Sequence, residues 1–256
     1  MKIVVISKMK KSKKILLIVG MLFIVGVIGV MANYISKGVF TKDRKLPIYC
    51  VDTKEKKIAI SFDASWGANN TIKILDTLDK YNIKATFFLV GRWVDEFPEE
   101  TKEIYKRGHE IGNHSNSHPD MTKIQDSKII QELAATDAKL MQLIGTDTKL
   151  FRFPGGAYDN RSVSAVESTK HYCIQWDVDS IDWKELGAEK EYNRVITKVK
   201  PGSIVLFHNA AKYTPENLPK IIEELKGQGY EFVKISDLIY KENYHLDNTG
   251  KQILNN

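Results

Sequence analysis

Seven short β-rich runs separated by helical patterns constrain the fold of this 256-residue chain more than any other feature. The runs are KIAISF (57–62), ATFFLV (85–90), HEIGNH (109–114), FRFPG (151–155), CIQWDV (173–178), SIVLFH (203–208) and EFVKIS (231–236). Between them the spacing predicts helices over about 70–81, 97–107, 126–144, 160–169, 188–199 and 215–227. Ile129, Ile130, Leu133, Leu140, Met141 and Ile144 share one face of the third, with Asp126 as its N-cap. Leu218, Ile221, Ile222 and Leu225 form the stripe of the last, which Gly227 stops. Strand-helix alternation with nearly continuous apolar strands predicts an α/β fold, a parallel sheet with helical crossovers, and seven repeats predict closure into a barrel. Chemistry in such a barrel collects at the carboxyl ends of the strands.

Polar groups stand at five of those ends. Asp63 follows KIAISF, His114 and His118 follow HEIG, Arg152 lies in FRFPG, Asp179 and Asp182 follow CIQWDV, and His208 ends SIVLFH. Asp63 reads either as one member of a catalytic pair or as a structural aspartate in a turn, since the residue after it is Ala64. Two histidines four residues apart suit one divalent cation, although such pairs more often serve packing. His208 closes an apolar run, where it is either a buried histidine satisfied by hydrogen bonds or an acid-base group near neutrality. Arg152 interrupts an apolar strand and needs an anionic partner if buried, for which Asp63 is the nearest candidate by position.

Charge separates the amino terminus from the rest. Six lysines and no acid fall within the first 32 residues, so the remainder carries as many cations as its 32 acids and offers no basis for a nucleic-acid surface. Residues 15–32 hold no charge and would span about 27 Å as a helix, close to a bilayer's hydrocarbon core. The expected organisation is a basic cytoplasmic segment 1–14, a transmembrane signal-anchor 15–35, a linker 36–54, a globular domain 55–242 and a frayed polar tail 243–256. The domain then faces outward from the cell membrane, or is secreted after cleavage near Ala32. Export leaves Cys50 and Cys173 open to a disulfide or to burial as free thiols.

The ordered set SFDASWG, GHEIGNHSNSH, RFPGG, DSIDW and IVLFHN resembles the five motifs of the polysaccharide deacetylases with the NodB homology domain, carbohydrate esterase family 4. The resemblance spans roughly residues 55–240. It implies a distorted (β/α) barrel of about seven parallel strands that removes N-acetyl groups from glycans such as peptidoglycan or chitin, with a divalent metal, normally zinc, holding water and carbonyl. By this resemblance Asp63 is the base, oriented by Arg152, and His114 and His118 are the histidine metal ligands. Gly155 offers its N–H to the oxyanion, His208 is the general acid held by Asp182, and Trp183 and Leu206 wall the acetyl pocket. The form FDASWG is similar to a branch linked to spore formation, the PdaB-like proteins.

Two positions depart from the family pattern. Ala64 stands where a third metal ligand, an aspartate, is usual, and Gly155 stands where an aromatic is common, which widens the groove. A site with two nitrogen ligands leaves three outcomes open: a weakly held ion, recruitment of Asp63, or no metal. The functional readings are correspondingly a membrane-anchored peptidoglycan deacetylase, a pseudoenzyme that binds glycan through Trp66 and Trp183 without turnover, or a structural protein of the spore envelope.

Overall fold

The computed structural model describes residues 44–255 together with Ile24 and Gly26, which are helical. The chain divides into two units, Met1–Arg44 and Lys45–Asn256, and the fold below is that of the second. Apart from those two residues, the basic segment 1–14, the anchor 15–35, the point near Ala32 and the start of the linker 36–54 lie outside the described residues. Among the described residues no helix is long and apolar enough to cross a membrane.

In chain order the strands are β1 (Cys50–Val51), β2 (Lys57–Ala64), β3 (Thr86–Leu89), β4 (Glu110–Asn113), β5 (Leu150–Arg152), β6 (Tyr172–Ile174), β7 (Val178–Asp179), β8 (Ile204–His208), β9 (Glu231–Phe232), β10 (Tyr244–Leu246) and β11 (Lys251–Leu254). The helices are α1 (Thr71–Lys80), α2 (Gly91–Glu96), α3 (Pro98–Lys106), α4 (Asp126–Ile144), α5 (Asn160–Ser168), α6 (Ala188–Ile196), α7 (Thr214–Gly227) and α8 (Ile235–Leu238). The main sheet runs β6-β5-β4-β3-β2-β8-β7, all parallel, and β9 adds to the start of β2. Strand β2 lies near its middle and is buried on both faces. Its period of two sends Ile58, Ile60, Phe62 and Ala64 into an apolar cluster with the helices, and turns Ala59, Ser61 and Asp63 the other way.

The sheet is a half-barrel, because β6 and β7 occupy its two margins and do not pair. Only residues 175–177 join them, far fewer than the dozen or so that a crossover between parallel neighbours requires. The expected single strand over 173–178 is thus two short ones on opposite margins. The segment before the domain enters the seam: Ile48 bridges Ile174, Cys50 bridges Ser203, and Gln175 donates its N–H to the Ile48 carbonyl at 2.7 Å. What the sequence suggests as linker up to residue 54 is therefore, from Leu46 on, partly buried structure.

Other expectations need correction. The tail 243–256 is not frayed over its described residues: β10 and β11 form a hairpin, and β11 pairs in parallel with β1. Asp247 accepts from the N–H groups of Thr249 and Lys251 in its turn, and Gly250 takes φ +82°, where a Cβ would run into the Tyr49 ring. Run 231–236 is strand only at Glu231–Phe232. Asp126 is the first residue of α4 rather than its cap, Gly227 still belongs to α7, and helix α2 has no counterpart in the expected set. Cys50 and Cys173 are both free and buried.

Candidate active site

Parallel register brings the strand ends to one level. Asp63 on β2 sits beside Phe88 of β3 and His208 of β8, while His114 follows β4 and Arg152 closes β5. They converge on a cleft of about 350 Å³ lined by Asp63, Ser65, Trp66, His114, His118 and His208, with Gly155, Trp176, Asp179, Trp183 and Leu206.

On one side, Arg152 Nη1 donates to Asp63 Oδ1 at 2.7 Å. The guanidinium is fully buried, and Nη2 also donates to Ser61 Oγ at 2.9 Å and to the Gln175 carbonyl at 3.2 Å. Its plane lies over the Phe88 ring, 4.1 Å from the centroid, with Trp176 at 5.5 Å. Burial pushes the Asp63 carboxyl up, but Arg152 and the nearby histidines outweigh it, so Asp63 ends below its ordinary value and is ionised at neutral pH.

On the neighbouring strand β8, His208 Nδ1 donates to Asp182 Oδ1 at 2.7 Å. Asp182 is locked by three further donors: the backbone N–H groups of Trp183 and His208, each at 2.7 Å, and the Thr214 hydroxyl at 3.1 Å. Burial lowers the proton affinity of His208, yet Asp182, Asp63 and Asp179 together raise it above the ordinary histidine value. The Trp66 ring lies 5.2 Å from the imidazole and leaves half of itself exposed to the groove. The cleft therefore sets an ionised carboxylate beside a histidine biased toward its protonated form.

His114 and His118 do come together, with ring centroids 4.9 Å apart. His114 Nδ1 must donate to the Arg152 carbonyl, 2.8 Å away, because a carbonyl only accepts. Burial first of all pushes His114 down to about 4, so the ring is neutral and Nε2 offers a lone pair, 3.4 Å from Asp63 Oδ2. That orientation is one a metal-ligating histidine needs. The set stops short of the family's usual three-ligand site, as Ala64 implies: Ala64 is fully buried in the outer apolar cluster, and Asp63 is engaged by Arg152. Among the described residues no group of three or more His, Cys, Asp or Glu side chains can hold a metal ion. Two nitrogens fall below the three or four protein ligands of stable zinc sites.

Gly155 adopts φ +59° in the turn Pro154–Gly156, and a Cβ there would meet nothing within 4 Å, which agrees with an open groove. Leu206 is buried in the wall, and Trp183 is half exposed at the rim. Sequence reading missed Ser61, Phe88, Gln175 and Trp176, which cage Arg152, and Thr214, which locks Asp182. The alternation of β2 was a usable signal for Ser61, two residues before Asp63; the others depend on which strands neighbour one another.

The polysaccharide deacetylase family model matches residues 51–174. The chain is 33% identical to the peptidoglycan-N-acetylmuramic acid deacetylase PdaA of Bacillus subtilis over 202 residues, covering 77% of each protein. It is 35% identical to a peptidoglycan-N-acetylglucosamine deacetylase of Bacillus cereus over 194 residues, 74% of this chain and 91% of that one. Among solved structures, a family 4 carbohydrate esterase pseudoenzyme from Bacillus anthracis superposes with a TM-score of 0.73 at 34% identity, covering 75% of this chain and 68% of that one. With the ordered site residues and the half-barrel, these similarities show that the chain belongs to the polysaccharide deacetylase family, carbohydrate esterase family 4.

Proposed function

We propose that the protein hydrolyses N-acetyl groups on amino sugars of a peptidoglycan-type glycan. The observation that carries this reading is the pairing of two groups on neighbouring strand ends of one cleft: Asp63 held ionised by Arg152, and His208 held toward imidazolium by Asp182. Asp63 takes a proton from water as the water oxygen attacks the acetyl carbon. The oxyanion formed is met by the Gly155 N–H, as the family resemblance implies. His208 gives its proton to the sugar nitrogen, the C–N bond breaks, and acetate and a free amine leave. Trp183 and Leu206 bound the acetyl group, and Trp66 offers its exposed face to a sugar ring.

A divalent ion, zinc in the first instance, would find His114 and His118 as its nitrogen donors and would be held weakly, so no step above is routed through it. The peptidoglycan assignment is supported by the names of the relatives, and a place in sporulation by the FDASWG motif. A membrane anchor at 15–35 with an extracytoplasmic domain is supported by the lysine cluster and the uncharged run. Fractionation of the full-length chain with membranes tests that part.

Acetate release from peptidoglycan fragments, with chelator, Zn²⁺ or Co²⁺, tests the activity. Release in at least one condition is expected, and none in any of them from folded protein overturns it. Ala64 favours a second reading, a glycan-binding pseudoenzyme, which predicts binding of the same fragments without acetate.

A further inference from the structure

The loop that brings His118 to the cleft is held in a shape its own residues disfavour. Ser115 and His118 take φ +68° and +58°, a region that L side chains rarely adopt. The N–H groups of these two residues are met within the loop, at 2.9 Å each, by Asn113 Oδ1 and Ser115 Oγ. The carbonyls of Ser115 and Asn116 accept from the N–H groups of Gly91 and Arg92 at the start of α2. That leaves the N–H groups of Asn116 and Ser117, and both go to one atom outside the loop, Oε2 of Glu132, at 3.0 and 2.7 Å. The Ser117 hydroxyl is shared between the two oxygens of the same carboxylate, at 3.1 and 3.0 Å, and Lys128 reaches Oε1 at 3.2 Å. Glu132 is only 2% exposed and stands on α4 among its buried residues Ile129, Leu133 and Thr136. A carboxylate there is costly unless donors meet it, and all its donors but Lys128 come from the loop.

We propose that Glu132 is a positioning residue: through the Asn116 and Ser117 N–H groups it clamps the turn 115–118 from behind and so keeps the His118 ring in the cleft, facing His114. The two ring centroids lie 4.9 Å apart. A turn released from the carboxylate relaxes the positive φ of His118, and that rotation carries its imidazole out of the cleft. His114 is not open to the same loss, because it follows β4 directly: its N–H donates to the Leu89 carbonyl at 3.0 Å and its Nδ1 to the Arg152 carbonyl. Lys139 also holds the loop, but by the Asn116 side chain, at 2.7 Å from Oδ1, which leaves the backbone of the turn to Glu132. Glu132 therefore acts on one of the two facing histidines and not on the other.

The inference deepens the reading above, since it takes His118 as a group of that cleft, but no arm of its test reads acetate or needs a bound metal. In the full-length chain, deuterated except for ¹³C-labelled histidine and kept in chelator, ring signals are assigned by their loss in His114→Asn and His118→Asn, and the cross-peak between the two rings is measured. Glu132→Ala is expected to abolish that cross-peak, and Glu132→Gln, whose amide oxygen still accepts from both N–H groups, to keep it. A merely structural Glu132 lowers Tm in Glu132→Ala and leaves the cross-peak in place, and that result overturns the proposal. Should Glu132→Ala fail to fold, amide exchange in the native chain decides: protection of the Asn116 and Ser117 N–H groups like that of α4 supports it, and exchange at the rate of an open turn overturns it. An inactive but folded protein that loses the cross-peak in Glu132→Ala still supports the inference, so its failure and that of the activity are told apart.

Discussion

Arg152 and Asp182 each hold one ionisable partner in the cleft, Asp63 and His208, and the pH behaviour of the cleft follows from what they hold. The folded-state value of Asp63 is lowered, so its contribution to stability is present above the unfolded carboxylate value and is lost as the pH falls through the folded one. That of His208 is raised, so its contribution is full below the unfolded histidine value and is lost as the pH rises through the folded one. Hydrolysis needs the same two charge states. Acetate release and Tm are therefore expected to share a plateau bounded on the acid side by Asp63 and on the alkaline side by His208, and separate windows would contradict the assignment. Asp63→Asn removes the base and is expected to cut acetate release about 10²–10⁴-fold. It also strips a fully buried guanidinium of its counter-charge, at about 3–5 kcal/mol in denaturant unfolding. Asp63, Arg152 and His208 were legible because parallel strands present their carboxyl ends together. The contact of Arg152 with Phe88 and Trp176 was not, since it needs the order and register of β3, β4 and β5, which no local pattern encodes.

Among the elements, the ends of β2 and β4 control the site from behind. Gly112 on β4 lies against Phe88, where an added Cβ would meet ring carbons at 2.5 Å and the Leu150 carbonyl at 3.3 Å. Phe88 in turn supports Arg152. Gly112→Ala is expected to cost about 1–3 kcal/mol in urea unfolding through overpacking, and to lower kcat through the displaced guanidinium. At the end of β2, Ala64→Asp places an unpartnered carboxylate in an apolar cluster and should lower Tm in chelator. Zn²⁺ at about a hundredfold its Kd should return about 2.7 kcal/mol, and His114→Ala should abolish that return. No Zn²⁺ effect would show that position 64 does not reach the histidines. The long helix α4 was readable from its apolar spacing, although of the six residues expected on one face Ile129, Leu133 and Leu140 are buried while Ile130 and Met141 are exposed; CIQWDV hid two marginal strands because an unbroken β-type run carries no mark of the turn within it.

At the scale of the molecule, the described ends of the globular unit are joined. Cys50 and Val51 of β1 pair with Lys251 and Gln252 of β11, and the fully buried Gln252 side chain exchanges hydrogen bonds of 2.6 and 2.7 Å with the backbone of Tyr240. Deleting residues 243–256 is expected to lower Tm and to expose the segment at the half-barrel's seam to protease; unchanged protection would mean that the hairpin is dispensable. The hairpin escaped sequence reading because its two strands are only three and four residues long and mix polar with apolar side chains, and because the strand β1 that anchors it is some two hundred positions away. The same pairing dictates an order of assembly. A chain that emerges from its amino end must hold Cys50 and Val51 unpaired on that side until Lys251 and Gln252 are free, so loop closure across nearly the whole domain comes late. The seam is sealed only once residues 251–254 have been made, and a copy cut short near residue 242 leaves it without that clasp.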